Sequence, residues 1–270
     1  MEVLTTEDTY KLYAICYSHV ERYAGENFIR GDVSKDAMPL AYFIWAIVGE
    51  HHTIIVDTGF NERTARERNR RFIDHPADSL KAINIFPEDV QDVIITHMDY
   101  DHAGNHDLFP RARFHVQDRE MAYCTGRLMC HPFMRIAIDG GVVASMVQRV
   151  FEDRVQFHDG TEEIVPGVTV HLVGGHTMGI QVVRVRTNRG WVVLASDASH
   201  FYANIEQNRP FPIAYSIAEM LEGFAIVRRL ASSPQHIIPG HDPLVLRRYP
   251  AAQAGLENVV VRLDLPPIEV

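Results

Sequence analysis

The chain carries several metal-ligand side chains directly after a short apolar run. The run Val-Ile-Ile is followed, after one threonine, by the hexapeptide His-Met-Asp-Tyr-Asp-His at residues 97–102. In an extended segment alternate residues project to one side, so His97, Asp99 and Asp101 would point together, while His102 would start the next element. Imidazole and carboxylate groups are ordinary ligands of transition-metal ions. The hexapeptide therefore predicts a loop that serves one or two metal ions, and a polar loop without a metal is the alternative.

Later segments repeat the arrangement of an apolar strand that ends in a ligand. His176, Asp197 and His241 each follow an apolar run, with only one or two residues in between. Upstream, the apolar residues 54–56 lead in the same way to Asp57. A pattern that recurs along the chain favours a metal centre over an ordinary polar loop.

The order of these segments resembles the metallo-β-lactamase superfamily. The matching segments are Val-Asp-Thr-Gly at 56–59, His-x-Asp-x-Asp-His at 97–102, Gly-His-Thr at 175–177, Ser-Asp at 196–197 and Gly-His at 240–241. The resemblance implies an α/β protein with a four-layer αβ/βα sandwich. It also implies a metal-dependent hydrolase.

More narrowly, the chain looks like the N-acyl-homoserine lactonase branch of that superfamily. Residues 38–45, residues 96–110 and residues 197–199 with Asn204 carry this likeness. The resemblance implies a small-molecule substrate, a lactone or a related ester, attacked by a hydroxide that bridges two metal ions. Two alternatives stay open: a di-iron redox or oxygen-using enzyme of the same superfamily, and a degenerate metal-binding protein that is not an enzyme.

The resemblance also assigns ligands, and one of them departs from the family pattern. It assigns the ligands of two divalent ions: His97, Asp99 and His176 for one ion, Asp101, His102 and His241 for the other, and Asp197 for both. Asp99 stands where the family usually has a histidine. Because a carboxylate is a harder donor than an imidazole, Asp99 moves the expected preference toward manganese or iron. Zinc, the usual ion of the family, stays open because carboxylate oxygen also binds it.

Residues close to these ligands are predicted to assist the reaction. His200 lies three residues after Asp197, where similar lactonases carry a tyrosine that polarises the substrate carbonyl, and Tyr202 follows soon after. We predict that one of the two supplies an extra hydrogen-bond donor. Asp101 is predicted to orient the hydroxide as well as to bind metal. Asp57 is predicted to orient a ligand imidazole rather than to bind metal itself.

Composition limits the other classes of function. The chain has 270 residues and a formal net charge of −9, and its main group of arginines, within residues 63–71, is predicted to be a solvated helix face. These features argue against a nucleic-acid partner. No apolar stretch is long enough to cross a membrane, and residues 1–8 lack the features of a secretory leader. The whole chain is therefore expected to be the mature protein.

Three scattered cysteines fit neither a disulfide framework nor a structural zinc site, which predicts a reduced, cytoplasmic setting. Because the ligands come from both halves, residues 1–270 are predicted to form one hydrolase domain. The sequence leaves a homodimer open.

Strands and helices are predicted to alternate along the chain, as in a layered α/β fold. Strands are predicted over residues 11–17, 42–48, 53–56, 93–96, 113–116 and 236–238, with a hairpin formed by 181–187 and 191–195. Helices are predicted over residues 63–72, 79–85, 104–108, 118–123, 142–150 and 217–230. Residues 124–151 are a candidate cap over the site.

The chain has 15 histidines, and only four are assigned as ligands. His158 lies in a polar, turn-like context and is predicted to be at the surface. His115 alternates with apolar residues and is predicted to be a hydrogen-bonded histidine within a sheet.

Overall fold

The computed structural model describes residues 9–31 and 34–268. The prediction about a leader in residues 1–8 lies outside these residues. The strands form two sheets. The first contains β1 (Lys11–Val20), β2 (Leu40–Val48), β3 (Thr53–Val56), β4 (Arg71–Phe72), β5 (Asp92–Ile94), β6 (Arg113–Gln117), β7 (Val155–His158) and β13 (Val260–Arg262). The second contains β8 (Thr161–Val165), β9 (Val168–Leu172), β10 (Gln181–Thr187), β11 (Gly190–Ser196) and β12 (Ile237–Pro239).

Helices connect the strands and cover the sheets. They are α1 (Glu62–Glu67), α2 (Pro76–Ala82), α3 (Tyr100–Ala103), α4 (Asp118–Cys124), α5 (Gly140–Phe151), α6 (Tyr202–Gln207), α7 (Ile217–Leu230) and α8 (Leu244–Arg248). Asp139 caps α5, and Ser216 caps α7, by accepting hydrogen bonds from backbone N–H groups of the first turn.

Strand order brings the ligand-bearing loops to the ends of neighbouring strands. The first sheet runs β13-β1-β2-β3-β5-β6-β7, and β3, β5, β6 and β7 are parallel. The second runs β12-β11-β10-β9-β8, with β11 and β12 parallel. Parallel strands end at the same sheet edge, so the loops after β3 and β5, and those after β11 and β12, meet in pairs. The predicted hairpin is confirmed as the antiparallel pair β10 and β11.

Alternation along the strands produces the layers. In β2, Phe43 and Trp45 pack between the two sheets with side chains of β10 and β11, while Tyr42 and Ile44 face the helices outside the first sheet. A third apolar cluster joins the outer face of the second sheet to α6 and α7. The order is therefore helices, sheet, sheet and helices, which confirms the predicted α/β sandwich.

Two predicted helices differ from the structure in a way that affects the site. The helix predicted over residues 63–72 ends at Glu67, because Asn69 adopts a left-handed backbone with φ of 54° and the chain then enters β4. The helix predicted over residues 104–108 is replaced by α3, which begins at Tyr100 inside the hexapeptide, and by a short turn at 106–108. Four buried residues of α3 thus lie at the site rather than beyond it.

The described part of the chain contains no helix with the length and apolar character needed to cross a bilayer. Cys16 and Cys124 are buried free thiols, and Cys130 is an exposed free thiol.

Candidate metal centre

The seven side chains assigned as ligands converge in the structure. Asp99 Oδ2 lies 3.6 Å from His97 Nε2 and 3.1 Å from His176 Nε2. Asp101 Oδ2 lies 3.6 Å from His102 Nε2 and 3.8 Å from the Nε2 of the last assigned imidazole, His241. Two ligands that each lie about 2.1 Å from a tetrahedral ion are roughly 3.4 Å apart, so both groups have the spacing of atoms that share a cation.

Asp197 lies between the two groups. Its Oδ2 is 3.7 Å from His97 Nε2 and 3.3 Å from His176 Nε2. Its Oδ1 is 3.2 Å from His102 Nε2 and 2.8 Å from His241 Nε2. Each carboxylate oxygen therefore faces a different pair of imidazoles, which is the arrangement a bridging carboxylate requires.

Each imidazole assigned as a ligand is held through its Nδ1 atom. His102 Nδ1 donates to Asp57 Oδ2 at 2.7 Å, and His97 Nδ1 donates to the hydroxyl of Thr96 at 3.1 Å. The Nδ1 atoms of His176 and His241 donate to the backbone carbonyls of Ile213 and Ala41. These bonds fix the rings with Nε2 pointing inward, as in metal sites where an outer partner orients the imidazole.

The inward nitrogens include two buried atoms that no protein group satisfies. His97 Nε2 and His102 Nε2 are buried and have no hydrogen-bond partner among the described residues. A buried polar atom without a partner is costly, and it indicates a group that the protein itself does not supply. The donor set of imidazole nitrogens and carboxylate oxygens fits two divalent transition-metal ions.

Two strained backbone positions and one close contact shape the loops around Asp197. Asp57 and Ser196 adopt left-handed backbones with φ of 61° and 46°. Asp57 accepts hydrogen bonds from the backbone and hydroxyl of Thr96, whose hydroxyl also meets that of Ser196 at 2.9 Å. Gly240 packs so closely on Ser196 that a Cβ atom there would lie 2.7 Å from its carbonyl carbon. This contact explains the glycine before His241.

A buried carboxylate that the sequence analysis did not identify joins two of the ligand loops. Glu120 at the start of α4 accepts a hydrogen bond from Met98 N at 2.8 Å. Its other oxygen accepts from Thr177 Oγ1 at 2.6 Å and from Gly179 N at 3.1 Å. Burial raises the pKa of Glu120. Glu120 therefore ties the loop that carries His97 to the loop that carries His176.

The carboxylates at the centre stabilise positive charge on the neighbouring imidazoles. Burial alone would lower the pKa of His176, but Asp197 and Asp99 outweigh it and raise that pKa to about 9. Burial also opposes the charged form of His102, whose pKa Asp197 and Asp57 nevertheless raise well above its usual value. Burial would raise the pKa of Asp197, yet the surrounding imidazoles hold it well below its usual range. A cation that binds here would replace the protons on the imidazoles.

The centre lies at the base of a cavity of about 250 Å³. Besides five of the assigned ligands, the cavity is lined by His200, three arginines, two tyrosines and apolar side chains: Arg22, Arg68, Arg70, Tyr42, Tyr100, Leu40, Ile136, Ala137, Phe211 and Ile213. Part of the predicted cap contributes to it, because Ile136 and Ala137 belong to residues 124–151. Tyr100 N donates to Ala137 O at 2.8 Å, which fixes this segment against α3.

The two residues predicted as extra donors occupy different places. His200 lines the cavity, with Nε2 3.0 Å from Asp197 Oδ2 and its ring stacked on Phe211 at 3.6 Å. Burial, opposed by Asp197, lowers the pKa of His200 to about 3, so the ring is neutral. Tyr202 instead packs in the cluster between the sheets, beneath the guanidinium of Arg248 at 4.0 Å, and is not among the cavity-lining residues.

The cavity phenols and arginines were not identified from the sequence. Tyr42 and Tyr100 place their hydroxyls 3.4 Å apart, and Arg70 Nε donates to Tyr100 OH at 3.2 Å. Arg68 and Arg70 were expected on a solvated helix face, and this interpretation is wrong because the chain leaves the helix before them. Asn69 was the available signal, since asparagine commonly ends helices in the left-handed conformation.

Known proteins of one metal-dependent hydrolase superfamily are similar to this chain. Residues 37–255 match the metallo-beta-lactamase superfamily. An N-acyl homoserine lactonase of Bacillus thuringiensis is 27% identical over 187 residues, which cover 64% of this chain and 69% of the relative.

Solved structures also share the fold. An N-acyl homoserine lactone hydrolase with N-hexanoyl-L-homoserine bound at its catalytic metal centre superposes with a TM-score of 0.70 at 22% identity, over 87% of this chain and 94% of the other. The dizinc quorum-quenching lactonase AidC superposes with a TM-score of 0.68 at 15% identity, over 88% of this chain and 92% of the other.

Proposed function

The chain belongs to the metallo-β-lactamase superfamily, and we propose that it is a metal-dependent hydrolase that opens a lactone or a related ester. The observation that carries the proposal is the position of Asp197, whose two oxygens face two different pairs of buried imidazoles at the base of a cavity. The lactonase relative supports a cyclic ester as the substrate. Because the ligands come from both halves of the chain, residues 1–270 would act as one hydrolase domain.

Seven residues would hold two divalent ions. His97, Asp99 and His176 would bind one ion, Asp101, His102 and His241 the other, and Asp197 both. Bound divalent ions supply Lewis acidity and lower the pKa of water toward neutrality. Imidazole and carboxylate ligands are compatible with zinc. The carboxylate of Asp99 adds an oxygen donor that also suits manganese or iron.

The protein residues have separate tasks around that chemistry. Asp57 and the carbonyls of Ala41 and Ile213 keep the ligand rings in one tautomer and one orientation. Glu120 holds the loop that carries His97 against the loop that carries His176. Leu40 and Phe211 line the cavity with apolar surface, which limits the access of bulk water to the ester.

His200 is the residue we place closest to the reaction beyond the ligands. As a neutral ring, it can donate from Nε2 to Asp197 Oδ2 and so hold the carboxylate that faces both halves of the centre. We propose that this contact sets the geometry of the reacting groups. Tyr202 is the second residue proposed from the sequence to act as a donor. Asp101 would orient the nucleophilic water as well as serve as a ligand.

The function is tested with a panel of lactones and linear esters, using purified protein loaded separately with zinc, manganese or iron. We expect ring opening or ester cleavage without flavin, reductant or dioxygen. The assay should be run in air and under anaerobic conditions side by side. Activity that depends on dioxygen and an electron donor would overturn hydrolysis in favour of the redox alternative.

A further inference from the structure

Three arginines line the same cavity as the candidate metal ligands. Arg70 donates from Nε to Tyr100 OH at 3.2 Å and from one terminal nitrogen to Arg68 O at 2.8 Å. The guanidinium of Arg68 lies 3.8 Å above the ring of Tyr100 and donates to Ile136 O at 3.2 Å. The guanidinium of Arg22 lies 5.1 Å from the ring centre of Phe211 and donates to Glu26 O at 2.8 Å.

None of the three guanidinium groups forms an ion pair within 4 Å of a carboxylate in residues 9–31 and 34–268. Their hydrogen bonds go to backbone carbonyls and to a phenol. An arginine has five N–H donors, and these contacts leave several unused on each side chain. One of them, Arg22 Nε, is buried and has no hydrogen-bond partner.

The three arginines carry positive charge, because the guanidinium group does not lose its proton in proteins. Placing unpaired cations in a partly enclosed cavity is unfavourable unless an anion meets them there. They do not belong to a general basic surface, since the chain carries a formal net charge of −9. The carboxylates that line the same cavity, Asp99, Asp101 and Asp197, are assigned to the metal ions. An anionic group on the substrate would therefore be the first anion within hydrogen-bonding distance of the arginines.

We propose that the substrate carries an anionic oxyacid group, a carboxylate or a phosphate, which Arg70, Arg68 and Arg22 hold while the ester lies at the metal centre. This inference rests on the proposed function and specifies its substrate class. Planar guanidinium groups bind both oxyacids through paired hydrogen bonds. The cavity of about 250 Å³ lies below the range of about 300–1,000 Å³ for sites of drug-sized ligands. The part of the substrate held inside the cavity is therefore compact.

The reaction balances without a further reactant. Water adds across the acyl C–O bond, the carbonyl carbon gains the hydroxyl oxygen, and the ring oxygen leaves with a proton as an alcohol. The product is a hydroxy acid that carries two anionic groups, the new carboxylate and the original oxyacid.

The proposal is tested with three γ-butyrolactones that differ only in one ring substituent: a carboxylate, a phosphomonoester or a neutral carboxamide. We expect kcat/KM for at least one anionic lactone to exceed that of the carboxamide by about 10-fold or more, the effect of one charge-assisted hydrogen bond. The preferred anion identifies the substrate group. Arg70→Gln and Arg22→Gln should reduce the preference mainly through KM, as expected for a group that binds rather than reacts.

Arg66→Gln is the matched control, because Arg66 lies on α1, is exposed and pairs with Glu62 at 3.1 Å. It should leave the preference unchanged. Thermal unfolding of each variant confirms that the fold is intact. Using two arginine variants keeps the test valid if one of them is unstable.

Calorimetric binding of glutarate, a dicarboxylate that cannot be hydrolysed, separates the two proposals. We expect Arg70→Gln to weaken glutarate binding by about 10-fold or more while Arg66→Gln does not. Equal kcat/KM for the anionic and neutral lactones would overturn the anionic substrate and leave lactone hydrolysis intact. Arginine-dependent binding of glutarate without hydrolysis of any lactone or ester would instead overturn the proposed function.

Discussion

Two clusters of histidine and carboxylate in residues 9–31 and 34–268 can be compared. The central cluster has buried carboxylates, whereas the edge cluster joins two buried histidines to the partly exposed Asp92 and the exposed Glu162. In the edge cluster, His115 Nδ1 meets His158 Nε2 at 3.0 Å, while His115 Nε2 meets Asp92 at 3.0 Å and His158 Nδ1 meets Glu162. Every ring nitrogen there has a protein partner. In the central cluster, described above as the candidate metal centre, the Nε2 atoms of the assigned ligands His97 and His102 have none.

This difference shows what distinguishes a metal centre from a hydrogen-bonded histidine pair. Both clusters hold imidazoles within hydrogen-bonding distance of carboxylates, so proximity alone does not separate them. Each ring nitrogen of the edge cluster lies within hydrogen-bonding distance of a protein group, so this cluster has no ring nitrogen left for a metal ion. The central cluster is incomplete, because its outer bonds direct the remaining nitrogens at one another and at Asp197. We therefore expect the central cluster to respond to metals and the edge cluster to respond to pH.

The largest expected effect is the loss of metal on removing a central imidazole. His102→Ala should lower the metal content measured by elemental analysis and abolish hydrolysis, because it removes a ligand of a buried centre. The matched change at the edge, His115→Ala, should leave the metal content at the wild-type value. Equal loss of metal in the two variants would remove the distinction between the clusters.

The second effect concerns His200, which touches Asp197 without belonging to the seven assigned ligands. His200→Ala should lower kcat by about 10²-fold, the size of effect expected when reacting groups are misplaced by about 1 Å, and should retain metal. His200→Gln, which keeps a hydrogen-bond donor, should recover part of the activity. Tyr202→Phe is the control, and we expect it to keep its activity because Tyr202 packs between the sheets. Retained activity in His200→Ala with loss in Tyr202→Phe would move the assignment to Tyr202.

A smaller change tests the carboxylate within the central cluster. Asp99→His should shift selectivity toward zinc without loss of the fold, because an imidazole is a softer donor than a carboxylate. Competition between zinc and manganese or iron can be measured for both proteins by metal analysis after equilibration. Unchanged selectivity would indicate that Asp99 is not a ligand or that the other six residues determine the preference.

The smallest effect lies in the edge cluster. Burial lowers the pKa of His158 from 6.5, against the opposing influence of Glu162. As the pH falls below about 6.5, the unfolded chain takes up this proton before the folded protein does, so the stability contributed by neutral His158 is lost. Over this range the free energy of unfolding of His158→Gln should fall less steeply than that of the wild type. The free energy of unfolding can be measured by urea unfolding at a series of pH values. An identical pH dependence in the two proteins would show that His158 does not titrate as proposed.

Much of the fold followed from local patterns. Runs rich in apolar and β-branched residues predicted β2, β3 and the hairpin of β10 and β11, and the hexapeptide at residues 97–102 predicted the first ligand loop. These features depend on residues close together in the sequence. The convergence of the loops on Asp197 followed only from the family resemblance, because it requires the strand order.

The residues that sequence reasoning misplaced depend on distant contacts. His158 was predicted at the surface, but it is only 3% exposed because β7 pairs with β6 and brings it against His115. Tyr202 follows Asp197 closely in sequence, yet its backbone N–H bonds to Asp242 and its ring turns to the core between the sheets. Arg70 reaches the cavity because one left-handed residue, Asn69, redirects the chain.

The central claim is that two cations complete the cluster around Asp197. The most direct measurement is the metal content of wild-type protein after loading with zinc, manganese or iron and removal of excess metal. The account predicts close to two equivalents per chain for at least one of these metals. One equivalent or less with all three metals would contradict the dinuclear centre.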